Sequence, residues 1–240
     1  MMHLSTIPII FLVQCGFLIW GARVAHIRLG PIVEIISVFS LWGFVSAWLA
    51  LSGVYDSTAF LTLLPGFWLP MMPIVLGISL LSRRTVRRSL LKIVYQVPPH
   101  AFVVLQSVRI AALGTLIKTI QGQFPVSVEL AIGLTDLAYG VSALFIYRFA
   151  KANQISLDAL VLWQVVGILI IVIPGELAIQ TALPGPLEVF SNAPTASVML
   201  DYPMVLAPSL VVPIFFLFNA MGAASAIVAA HSPVTPTAKL

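Results

Sequence analysis

Of the twelve lysines and arginines in this 240-residue chain, ten lie outside its long apolar runs or at their ends. Threading those runs back and forth through a membrane puts all ten on one side. That asymmetry constrains the chain to a multi-pass membrane protein of readable orientation, because basic loops stay cytoplasmic. Crossing about 30 Å of hydrocarbon takes roughly 17–25 predominantly apolar residues per helix. Runs of that kind occupy 6–25, 31–52, 58–82, 101–121, 125–148, 157–180 and 203–228. They predict an all-α fold: a single polytopic membrane helix bundle of seven transmembrane helices, with the N-terminus outside and the C-terminus cytoplasmic. Arg23 and Arg28 then fall in the first inner loop, and Arg83, Arg84, Arg87, Arg88 and Lys92 in the second. Arg148 and Lys151 fall in the third, and Lys239 in the tail over 229–240. The outer loops carry Asp56, Glu188 and Asp201 and no cation. With 60% hydrophobic and 8% charged residues, the chain has no stretch that reads as a soluble domain. The expected location is the bacterial cytoplasmic membrane.

Several function classes drop out on the same residues. The net charge of +4 reflects topology, since the basic residues flank spans instead of forming the patch that nucleic acid needs. His3 is the only ionisable side chain before Arg23, so the first run lacks the positive start of a cleaved signal and is read as a retained span. Cys15 stands alone, which leaves no disulfide framework. His3, His26, His100 and His231 are scattered without ligand spacing, and neither a metal nor a cofactor is expected. Residues 83–97 combine basic and apolar side chains up to Pro98 and Pro99. They predict a cytoplasmic interfacial segment in contact with the bilayer, with anionic lipid as the partner of Arg83, Arg84, Arg87, Arg88 and Lys92. Residues 181–202 predict an outer cap or a re-entrant turn, and Asn192-Ala193-Pro194 is no glycosylation acceptor.

Chemistry in such a chain has to come from polar groups inside the bilayer, where charge is expensive and turned inward. Arg109 and Lys118 fall in the fourth run, Glu129 and Asp136 in the fifth, and Gln164 and Glu176 in the sixth. Glu129, Gly133, Asp136, Gly140 and Ala143 repeat at steps of four and three, which sets both carboxylates on one helix face of small residues. Gln106 and Arg109, three apart, share a face of the fourth helix. Depth makes Arg109 and Asp136 candidate partners and brings Lys118 level with Glu129, but Lys118 lies half a turn around from Arg109. One face cannot serve both pairs, and Glu129 is left facing a cavity. Glu176 follows Pro174 and Gly175, which weaken the helix at membrane depth. Kinks are expected at Pro70 and Pro73 and at Pro208 and Pro213. A three-plus-one-plus-three repeat, as in small sugar-transporting SWEET proteins, is allowed by topology but finds little support in the residues. The seventh run holds no lysine for a retinal Schiff base. Ser40, Gly43, Ala47 and Ala50, and Asn219, Gly222 and Ala226, form small-residue stripes that leave self-association open.

Pro98, Pro99, Gln106-x-x-Arg109, Gly122, Pro125, Gly133-x-x-Asp136 and Gly140, continuing through Trp163, Gly167, Tyr202-Pro203, Pro208 and Pro213, resemble an uncharacterised group of small bacterial multi-pass membrane proteins. The resemblance covers about the C-terminal 60% of the chain and implies the helical fold and the importance of Gln106, Arg109 and Asp136. It brings no substrate. This chain has Ile170 where the group often has an acidic residue, and Asn219 where it often has histidine. The expected function is a small-solute transporter or permease for a polar solute, with an intramembrane site between the fourth, fifth and sixth helices. Gln106, Arg109, Glu129, Asp136, Gln164 and Glu176 are its binding or ion-pathway candidates. The alternative is a non-catalytic membrane subunit or scaffold whose buried charges are structural ion pairs. No nucleophile and base can be paired within a span, so no catalytic residue is expected and an enzyme is the weaker reading.

Overall fold

The computed structural model describes residues 6–191 and 193–231. His3, Asn192, Lys239 and the tail beyond His231 lie outside them. The described chain is helical: α1 (Thr6–Val24), α2 (Gly30–Leu51), α3 (Thr58–Leu61), α4 (Pro65–Trp68), α5 (Met71–Leu80), α6 (Arg84–Gln96), α7 (Pro99–Ile120), α8 (Val126–Lys151), α9 (Leu157–Ala182) and α10 (Ala207–His231), with a short 3-10 turn at Ala196–Met199. Six of these, α1, α2, α7, α8, α9 and α10, are long and apolar enough to cross a membrane. Their outward faces leave Leu12, Leu41, Phe44, Trp48, Phe145 and Leu162 exposed. An apolar belt of that extent marks a lipid-facing surface. The chain is an integral membrane helix bundle.

The run at 58–82, expected as one helix, is laid out in three pieces. Leu64 takes a left-handed conformation at φ 56°, and Pro65 then opens α4, where its missing N–H is no loss. The Gly66 N–H donates to Gln180 Oε1 at 2.9 Å. A Cβ on Gly66 would stand 2.7 Å from the Gln180 backbone, so only glycine lets α4 seat this closely on the end of α9. The three pieces still traverse the bundle. Phe60 of α3 packs on Tyr55, whose hydroxyl lies 3.2 Å from Ser46 towards the far end of α2. Beyond α5, Arg83 pairs with Glu34 near the start of α2 at 2.6 Å. The broken element thus runs the length of α2 beside the six spans and is a candidate seventh.

After α5 the chain turns sharply, α6 lying at 101° to the preceding Pro65–Leu80 stretch. Val86 and Ile93 of α6, with Val97 just beyond, join Ala22, Ile32 and Phe102 in the core, while Arg84, Arg87, Arg88 and Lys92 stay exposed. The helix thus lies across one end of the bundle with its basic face outward. The Ser225 hydroxyl fixes its end by donating to the Val97 carbonyl at 2.9 Å.

At the centre is α10, 56% buried over its apolar window where no other span exceeds 33%. Polar side chains staple it to the first two helices. Gln14 Nε2 donates to the Val211 carbonyl at 3.0 Å, and Trp42 Nε1 to the Ser209 carbonyl at 2.7 Å. Pro213, four residues on, has no N–H to offer Ser209, so the indole takes the place of a helical donor. The stripe on α2 divides: Gly43 is covered by Leu210 of α10, whereas Ser40 faces outward.

Candidate functional site

Four spans abandon α geometry at the same place. α7 tightens into a 3-10 stretch at Ser107–Ala112, and π turns occupy Glu129–Gly133 of α8, Ile171–Gly175 of α9 and Ala207–Val211 of α10. A proline accounts for one of them. Pro174 lacks an N–H and crowds the preceding turn, and a π turn absorbs the mismatch without ending the helix. All four stretches contribute to the wall of one cavity of about 560 Å³. π turns concentrate at functional sites, and three converging on one void mark this as the place to look for function.

The cavity occupies the end of the bundle remote from α6. Thr6 of α1, Lys118 of α7, and Gln123 stand where helices begin or end, and Arg109, Asp136 and Phe215 lie deepest. At 1.5 Å per residue, Asp136 is roughly 15 Å along α8 and Glu176 roughly 9 Å from the end of α9. Most of the wall is apolar, with Ile10, Phe124, Ile132, Ile179, Met204 and Val212 typical of it.

At the floor, Arg109 Nη2 donates to Asp136 Oδ1 across the contact between α7 and α8. Gly140 makes that contact close: a Cβ there would stand 2.6 Å from the Ile110 backbone nitrogen. The guanidinium also lies 4.5 Å over the Tyr139 ring, which is stacked on Trp163 at 4.2 Å. The Tyr139 hydroxyl points between Asn219 Oδ1 at 3.1 Å and the Trp163 carbonyl at 3.0 Å, tying α8 to α9 and α10. Arg109 Nε and Nη1 have no hydrogen-bond partner, nor does either end of the fully buried Gln106 side chain.

The other two carboxylates at the site, Glu129 and Glu176, have no ion-pair partner. Glu129, 2% exposed, folds back over Gly133 at the cavity wall, and neither of its oxygens meets a donor in hydrogen-bond geometry. The neighbouring Thr115 hydroxyl donates instead to the Ala112 carbonyl at 2.8 Å. Glu176 lines the cavity directly, and its Oε1 is buried without a partner. Lys118 is exposed at the rim. The pair with Glu129 that depth allows is not formed, and the ion pairs among the described residues are Arg109–Asp136 and Arg83–Glu34.

Of the six sequence candidates, Arg109, Asp136 and Glu176 line the cavity and Glu129 stands just behind its wall. Gln106 is buried outside the lining, and Gln164 is packed against Gly222 of α10, where helix contact occupies it. Tyr139, Trp163, Thr115 and Asn219 were not singled out as site residues. Tyr139 carried a signal in lying three residues past Asp136 on the same face, and Trp163 and Asn219 in the resemblance to the bacterial group. Ile170, where the resembling group often has an acidic residue, lines the cavity. Among the described residues, no three His, Cys, Asp or Glu side chains converge as metal ligands would.

A protein-family profile described as a domain of unknown function (DUF8737) matches residues 66–226. That stretch holds every cavity-lining residue except Thr6, Ile7 and Ile10 of α1. No curated protein and no solved structure matches the chain.

Proposed function

This chain belongs to the family described as a domain of unknown function, DUF8737, and for it we propose a small-solute permease whose binding site is the cavity between α7, α8, α9 and α10. The observation that carries the reading is the void itself. A space of about 560 Å³ at membrane depth, walled by four irregular helix segments and lined by a carboxylate without a partner, is a costly thing to build in a protein whose only task is to pack. Pocket volumes of roughly 300–1,000 Å³ suit small organic molecules. Irregular backbone at this depth is tolerated where it lines a cavity, and such broken segments are where transporters bind and move.

Orientation follows from charge. Arg23, Arg28, Arg148, Lys151 and the basic face of α6 belong on the cytoplasmic side, which turns the cavity mouth outward. The membrane we assign is the bacterial cytoplasmic membrane. Arg83, Arg84, Arg87, Arg88 and Lys92 then meet anionic lipid, with Leu91 and Tyr95 exposed beside them for the apolar layer.

A second reading, a membrane subunit or scaffold, is favoured by one observation: the Arg109 side chain is only 1% exposed and closed on Asp136. Cysteine accessibility separates the two. In a Cys15→Ser background, Thr115→Cys and Glu176→Cys probe the wall, Leu41→Cys the lipid face and Arg88→Cys the opposite end. A membrane-impermeant thiol reagent added outside is expected to label Thr115→Cys and Glu176→Cys, to spare Leu41→Cys, and to reach Arg88→Cys only after permeabilisation. Silence of both wall positions from either side supports the scaffold and overturns the permease.

A further inference from the structure

Resting on that reading of the cavity, we infer its ligand class: an organic cation with an apolar body, exchanged against protons at Glu176 and Glu129. The first argument is which polar groups a ligand meets. In the pair at the floor, the Arg109 side chain is 1% exposed and that of Asp136 11% exposed, so the carboxylate is the more open of the two. Glu176 lines the wall with one buried oxygen unpartnered, and Glu129, 2% exposed, holds two more in the layer behind Gly133. Of the polar groups around the cavity, the carboxylates of Asp136 and Glu176 are thus the more open, while the unpartnered Nε and Nη1 of Arg109 are buried.

Charge balance gives the same answer. Arg109 is offset by Asp136, which leaves Glu129 and Glu176 with no cation within ion-pair distance. Lys118 is the remaining cation of the lining and stands exposed at the rim, where its long stem lets the ammonium reach water. No other element brings an ionisable group to the wall: α1 contributes Thr6, Ile7 and Ile10, the broken third crossing Pro70, and the stretch from Met199 to Phe215 only apolar side chains and prolines. Two carboxylates held away from water without partners are tolerated when protonated or when a cation joins them. Protons on them and a bound cation are thus alternatives, and binding of the cation releases the protons. Aliphatic and aromatic walls supply the remaining selectivity, favouring a cation with an apolar body over a hydrated metal ion.

The test compares two probes of nearly the same shape and opposite charge, tetraphenylphosphonium and tetraphenylborate. Binding of each to the purified full-length chain in detergent is measured as the part displaced by excess unlabelled probe, at about pH 8 and about pH 5.5, so that the protons competing with the cation differ in concentration. Tetraphenylphosphonium is expected to bind saturably at the higher pH and to weaken roughly tenfold or more at the lower, a change of about one decade in Kd. Glu176→Gln is expected to abolish the binding, Glu129→Gln to flatten its pH dependence, and Arg88→Gln to leave it unchanged. Size-exclusion profiles of the same preparations identify any variant that has merely unfolded, and the wild-type comparison between probes and pH values needs no variant. Absence of saturable cation binding at both pH values, preference for tetraphenylborate, or binding that survives in folded Glu176→Gln overturns the proposal. The cysteine labels keep its failure distinct from that of the permease: a labelled wall without cation binding removes the ligand class alone.

Discussion

Arg109 reaches Asp136 through a single guanidinium nitrogen, Nη2, while Nε and Nη1 remain buried without partners and the cation rests on the Tyr139 ring. The pair is therefore held by position as much as by hydrogen bonds. Gly140 brings the two backbones together one helical turn past Asp136, and Tyr139 is anchored to Asn219 of α10.

Removing one partner strands the other charge. Arg109→Gln and Asp136→Asn are each expected to destabilise by roughly 3–5 kcal/mol, and the double variant to recover part of the loss. Melting temperatures of the four proteins in detergent check this. Single variants as stable as the wild type overturn the staple and show that the charges are retained at some expense in stability.

Gly140→Ala tests the close approach. A Cβ 2.6 Å from the Ile110 nitrogen has backbone and not a flexible side chain to push against, so α7 and α8 must separate. A loss of about 1–3 kcal/mol is expected, the usual range for overpacking. Gly114→Ala, where nothing lies within 4 Å, is expected to leave the melting temperature nearly unchanged.

Trp42→Phe keeps the ring and removes the donor to the Ser209 carbonyl. With Pro213 unable to replace that donor, the buried carbonyl is left wanting, and about 1–3 kcal/mol of stability should be lost. An unaltered melting temperature for Trp42→Phe counts against the indole as the acting donor.

Outside the spans, Asp201 titrates above the usual carboxylate range, first because its surroundings partly desolvate it and then because Asp56 stands near. A raised acid binds its proton more tightly folded than unfolded. Its contribution is therefore fully present below the unfolded value of about 3.9 and is lost as pH rises through the folded value. The side chain is exposed, so the effect is small. Melting curves between about pH 4 and 7 are expected to show a shallow decline that Asp201→Asn removes; an identical slope in the variant removes Asp201 as its source.

The face of α8 was legible because helix periodicity is a local property. Glu129, Gly133, Asp136, Gly140 and Ala143 are indeed all buried on one side. The third crossing was less so. Its apolar length and its prolines were visible, but the left-handed turn at Leu64 depends on Gly66 docking against Gln180, more than a hundred residues away. Glu129 looks like a partner for Lys118 by depth alone; the rotation of α7 and the π turn of α8 keep them apart.

By itself, then, the sequence determined the helical class, the presence of several apolar spans and the clustering of its basic residues between them. Each follows from sums over local runs: enough apolar residues to match the hydrocarbon, and charge too costly to carry across it. Only the tertiary structure decided that α7, α8, α9 and α10 lose their regular hydrogen bonding at a common level, that a cavity opens there, and that Asp136 finds a cation while Glu129 and Glu176 do not. Those outcomes depend on how closely helix backbones approach and how each is rotated about its axis. Both are fixed by contacts between residues far apart in the chain, such as Gly140 with Ile110 and Tyr139 with Asn219, and no local window contains them.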